Sequence, residues 1–166
     1  MKRVCILLCC ILLLNLCACS SHQEELLQPT NFYYCTKEIS YNTQEGVICA
    51  EVRESIHFQD DLASLLHAYL LGPINPELQT FIPSDVSLIS CSVNHNTAVI
   101  TLSDAFSKLS GIKLSTTCAC MLMTINHYTD IDTLSVRVEN ALLDDKDDII
   151  VTLDDVLLMD GIEITQ

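Results

Sequence analysis

The chain has 166 residues, with 22 acidic against 8 basic side chains and a formal net charge of −14. That length holds one ordinary domain once an N-terminal leader is set aside, and leaves no room for a second full one. The charge repels phosphate backbones and anionic headgroups, which argues against nucleic-acid binding and against an electrostatic grip on a membrane.

Residues 1–18 read as a signal peptide. Lys2 and Arg3 form a short basic start, positions 4–14 are an unbroken apolar run, and Leu16-Cys17-Ala18-Cys19 follows Asn15. A run of that length spans only about 16 Å as a helix, roughly half of a bilayer's hydrocarbon core, so a cleaved secretion signal fits better than a permanent span. Leu16-Cys17-Ala18-Cys19 resembles a bacterial lipobox, which implies that Cys19 receives a diacylglycerol thioether and becomes the mature N-terminus. The expected location is the extracytoplasmic face of the cell membrane, reached through that lipid anchor.

Five of the ten cysteines lie beyond Cys19: Cys35, Cys49, Cys91, Cys118 and Cys120. An odd number leaves at least one over unless it pairs between molecules, and the spacing alone does not assign a pairing. Cys118 and Cys120 would point about 200° apart on a helix, so they neither pair easily nor chelate together. Most of these thiols are expected to act as small buried hydrophobes. Zinc-type spacing is absent, and no metal or cofactor is expected.

Residues 19–30 read as a lipidated, polar tether and 31–140 as the folded domain. Phe32, Tyr33, Tyr34 and Cys35 mark a strand over 31–38, and Val47, Ile48 and Val52 a second over 46–53, joined by a turn at 42–46. A helix should follow, capped by Asp60, with Leu62, Leu65, Leu66, Tyr69 and Leu70 in one apolar stripe. Gly72 suits the left-handed residue past a helix end and Pro73 cannot continue the ladder, so the helix stops there. Positions 74–84, with Pro76 and Pro83, read as an irregular packed loop.

Alternation predicts strands over 87–93 and 98–102, joined by a tight turn at Asn94-His95-Asn96 in which Asn supplies the tolerance of positive φ and His95 sits exposed. A second helix is expected over 115–127, capped by Ser115, with Cys118, Met121, Leu122 and Ile125 on one face. Val136 and Val138 mark a strand over 133–139, and 148–153 adds another within an acidic extension over 141–166. The order implies a single small α+β domain, with a mixed or antiparallel sheet and two helices packed on one face.

The usual catalytic signatures are missing: no G-x-S-x-G elbow, phosphate loop, H-E-x-x-H pair or EF-hand loop occurs. A dyad of His67 or His127 with Cys118 or Cys120 lacks an orienting third group in the sequence, so ordinary packing is the favoured reading. The acidic run around Asp144, Asp145, Asp147 and Asp148 lacks a glycine turn of the kind calcium loops use, and reads instead as a solvated charged rim.

From Leu62 to Val138 the chain resembles the GerMN domain, the sporulation and spore germination domain of bacterial envelope lipoproteins. The residues that carry the resemblance are Leu65-Leu66, Leu70-Leu71-Gly72-Pro73, Leu78, Ile82-Pro83, Leu88, Asn94, the run from Ala98 to Ser103, Phe106, and Val136-Arg137-Val138. Leu71, Gly72, Pro73, Ile82 and Pro83 form its structural motif. The resemblance implies a compact α+β module that is not an enzyme and that works through contacts with envelope or sporulation proteins, with no small-molecule substrate. Two alternatives stay open: a regulatory lipoprotein acting on a membrane sensor kinase, and an extracytoplasmic hydrolase or small-ligand-binding lipoprotein using a pocket between the helices and the 74–84 loop.

Overall fold

A computed structural model describes residues 28–37, 47–55, 61–139 and 148–160. The leader, Cys19, the tether up to residue 27, the 42–46 turn, Asp60 and the acids at 144–147 lie outside the described residues.

The expected first hairpin is β1 (Gln28–Thr36) paired antiparallel with β2 (Ile48–Ser55). β1 starts three residues earlier than the tether reading allowed, and Thr30 is already buried. Helix α1 (Leu62–Leu70) follows, capped by Asp61, whose carboxylate accepts the Ser64 N–H at 3.2 Å. The cap is therefore one residue past the expected Asp60. The connection after α1 is irregular except for β3 (Leu78–Gln79), a two-residue strand paired with β1 at Cys35 and Thr36.

β4 (Leu88–Asn94) and β5 (Thr97–Leu102) form the second hairpin. Its turn corrects the sequence expectation: His95, not an asparagine, takes the positive φ, at 56°, with its Nδ1 2.8 Å from Asn94 Oδ1. His95 is exposed, as expected. A 3-10 turn over Asp104–Lys108 leads into α2 (Gly111–Tyr128), four residues longer at its start than the 115–127 estimate. Ser115 is accordingly inside the helix, where its hydroxyl donates back to the Gly111 carbonyl at 3.3 Å. β6 (Thr133–Val138) runs parallel to β5, and β7 (Ile149–Thr152) closes the order β4-β5-β6-β7.

The acidic C-terminal stretch then turns into α3 (Leu153–Asp160), an element the strand pattern did not suggest. Asp155 accepts the Thr152 N–H at 3.0 Å and its hydroxyl at 2.8 Å, a reciprocal cap at the helix start. Asp148 accepts Arg137 Nη2 at 2.8 Å and the Ser135 hydroxyl at 3.0 Å, and these donors hold its carboxyl below the usual range. Two of the acids thus have definite local partners.

The fold is α+β, but one expectation needs correction: among the described residues there are two sheets, β2-β1-β3 and β4-β5-β6-β7, rather than one. α2 touches β1 of the first sheet and both β6 and β7 of the second, while α1 packs on β4 and α2. The middle of α2 is consequently buried almost all round, Thr116 through Leu122 included. Alternation explains the two linings: Phe32 and Tyr34 face inward from the first sheet, and Ala98, Ile100, Leu102, Leu134 and Val136 from the second. The open side of β1 is closed by α2 itself, where Thr124 Oγ1 accepts the Tyr33 N–H at 3.0 Å and donates to the Cys120 carbonyl at 2.9 Å.

Candidate interaction surface

The end of α1 is built from β2. Period-two alternation places Glu51 and Arg53 on the same face as Phe32 and Tyr34, so these two charged residues point inward while Val52 between them is 63% exposed. Glu51 and Arg53 form an ion pair, and the guanidinium carbon lies 4.4 Å from the Phe32 ring centroid. Its flat, weakly hydrated cation can stack on an aromatic face at little desolvation cost.

A helix end leaves carbonyls without intrahelical partners, and here those of Ala68, Tyr69 and Gly72 have donors. Arg53 Nη2 donates to the Gly72 carbonyl at 2.8 Å and Nη1 to the Ala68 carbonyl at 3.4 Å. The Tyr69 carbonyl accepts both the Tyr34 hydroxyl at 2.9 Å and the Gly72 N–H at 3.0 Å. A cation at a helix C-terminus also meets the negative end of the helix dipole. Glu51 Oε2 completes the clamp by accepting the N–H groups of Ile74 at 2.9 Å and Asn75 at 2.7 Å. The backbone from 68 to 75 is therefore held at both its carbonyl and amide sides by two side chains of one strand.

Gly72 and Pro73 lie within the stretch of backbone that this clamp holds. Gly72 is buried with φ +82°, the left-handed conformation a C-terminal cap requires. A Cβ there would meet Thr80 Cγ2 at 3.5 Å, an ordinary contact, so backbone conformation and not space selects glycine. Pro73 is half-buried beside it. Ile82 is in the core, and the Pro83 carbonyl accepts the Val86 N–H at 3.0 Å to form the next turn. Leu71 is different: it is 87% exposed, and Ile74 is 77% exposed. Together with Ile112 they are the most exposed large aliphatics among the described residues, and two of the three flank Gly72-Pro73 on a backbone that cannot readily turn them inward.

The suggested histidine–cysteine dyad is not assembled. His67 and His127 are exposed, His127 lying edge-on to the Tyr33 ring, whereas Cys118 and Cys120 are buried. Burial pushes the Cys118 thiol up to about 12, the opposite of an activated nucleophile. Tyr34 is also pushed up to about 12 by burial, which outweighs the opposing Arg53 charge, and its ring stacks on Tyr69 at 5.0 Å.

A family model described as sporulation and spore germination (Germane) matches residues 31–144. The chain belongs to the GerMN family. The tandem GerMN domains of the sporulation protein GerM from Bacillus subtilis superimpose with a TM-score of 0.52 and 17% identity, covering 81% of this chain and 48% of that one. This chain thus spans about half of the tandem protein. The first GerMN domain of the same protein gives a TM-score of 0.52 at 15% identity, over 70% of this chain and 86% of that one. A Clostridium perfringens protein described as a candidate lipoprotein gives 0.49 at 20% identity, over 84% and 98%. Among functionally curated proteins, none matches the sequence at a significant level.

Sequence reasoning singled out the Gly72-Pro73 stop but missed Glu51 and Arg53, which hold it. Their i,i+2 spacing opposite Phe32 and Tyr34 was the available signal, since residues two apart on a strand share a face.

Proposed function

We propose that this GerMN-family chain is a non-catalytic, lipid-anchored envelope module that binds a protein partner through the loop at 71–75, in sporulation, germination or a related envelope process. The observation that carries the reading is the pairing of rigidity with exposure: Leu71 and Ile74 face solvent from a backbone fixed by Glu51 and Arg53. A prearranged loop loses little conformational entropy on binding, and exposed aliphatics on such a loop are the surface a partner would cover. The net charge of −14 favours a partner whose contact surface is apolar with a neutral or basic rim.

In this reading Cys19 carries the lipid and the polar residues after it form a short tether that keeps the domain close to the membrane. Growth of the host with a labelled fatty acid tests the anchor. Label and membrane recovery that disappear together in Cys19→Ser support it, and unlabelled wild-type protein overturns it.

A further inference from the structure

The two sheets and α2 bring Cys35 on β1 and Cys120 on α2 together, with Sγ atoms 3.9 Å apart although the residues are 85 positions apart in sequence. Both are buried, at 3% and 2% exposure. Strand register places Ile48 and Gln79, not another cysteine, opposite Cys35. Cys118, two residues from Cys120, is divided from it by the helical rotation that the C-x-C spacing imposes. Gln79, Thr80 and Phe81 line the same small recess as the two cysteines. Gln79 belongs to β3, whose two-residue pairing with β1 sets it beside Cys35. A two-residue edge strand opens at less cost than the sheet it edges, releasing the Gln79 to Thr36 and Lys37 to Glu77 hydrogen bonds and uncovering Leu78.

We infer that Cys35 and Cys120 are a disulfide-forming pair, closed by thiol–disulfide exchange with a low-molecular-weight disulfide or a protein disulfide oxidase that reaches them when β3 lifts. The Cys35 thiolate attacks one sulfur of the oxidant, forming a mixed disulfide and expelling the oxidant's first thiolate. The Cys120 thiolate then attacks Cys35 Sγ, forming the Sγ–Sγ bond and expelling the second. Two electrons pass to the oxidant, and the two thiol protons end on its two thiolates. The atoms need move only from van der Waals contact to bonding distance, about 2 Å, through side-chain torsions. The bond ties the first sheet to the central helix across a long loop, where a crosslink restricts the unfolded chain most. Export to an oxidising compartment rests on the lipoprotein reading; the chemistry of the pair does not.

The test separates the two. The full chain is reduced, equilibrated in buffer with glutathione and glutathione disulfide, quenched with acid, unfolded, alkylated and digested for mass spectrometry. The expected result is a Cys35–Cys120 linked peptide as the main product, with Cys49, Cys91 and Cys118 alkylated, and a Tm that falls by on the order of 10 °C on reduction. A Cys118→Ser variant should keep the linked peptide. Full alkylation of Cys35 and Cys120 at oxidising ratios, or a dominant link through Cys118 or Cys49, overturns the assignment.

Discussion

Arg53 Nη2 donates to the carbonyl of Gly72 at 2.8 Å, so a strand residue near the start of the domain completes the end of a helix that finishes 17 residues later. The same guanidinium is neutralised by Glu51, which in turn holds the amides of Ile74 and Asn75. Removing one member of a buried pair strands the other, so Arg53→Met should destabilise the domain by about 3 kcal/mol. Adding Glu51→Leu to that variant should cost less than the two single changes together, by on the order of 1 kcal/mol or more, because the stranded carboxylate is gone. Denaturant unfolding of the four proteins of that cycle measures both quantities.

At Gly72 the expected order follows from φ +82° and from the absence of crowding at the Cβ position. Gly72→Ala should cost about 1 kcal/mol, Gly72→Val more because its branched Cβ tolerates the left-handed region least, and Gly72→Asn less than Ala. Equal melting temperatures for all three variants would show that the glycine's conformation is not what the position requires.

The buried tyrosines set the alkaline limit of the fold. Burial pushes Tyr34 up to about 12 in the folded state against about 10 when unfolded, and it also raises Tyr69, stacked beside it, well above its ordinary value. Between those values the unfolded chain has lost protons that the folded chain retains, so stability falls as pH rises from about 10 to about 12. Urea midpoints should be insensitive to these groups below pH 10 and drop above it. Tyrosinate absorbance should appear in two stages, with Tyr34 and Tyr69 ionising only as the protein unfolds.

Much of this architecture is written locally in the chain. The stripe from Leu62 to Leu70, the Gly72-Pro73 stop and the alternation around Val99 and Ile100 each specify an element through its own period, and the family motif places them in order. What stays hidden is what distant segments do to one another. Alternation makes strands without saying which sheet they join, so a division into two sheets with α2 touching both is not readable from Phe32 or Val136 alone. The covering of α2 hides its second face: Thr116, Thr117 and Thr124 look like a polar side but are buried, and Thr124 serves the Tyr33 amide. β2 misleads most directly, because its apolar Val52 faces solvent and its charged Glu51 and Arg53 face the core. Charge on a strand ordinarily marks the wet face, and here mutual neutralisation together with backbone groups needing partners reverses it. His95 shows the same limit in miniature, since the turn was evident while the residue that bends it was not.

The most direct measurement is crosslinking and capture of the full chain in its own host, comparing the wild type with a Leu71→Asp, Ile74→Asp double variant. Both side chains are largely solvent-exposed, so thermal melting of the variant should stay within a few degrees of wild type. The account predicts that envelope proteins captured by the wild type fall at least about tenfold in the double variant while its membrane recovery is unchanged. Retention of the same partners at wild-type levels by a normally melting double variant would contradict it.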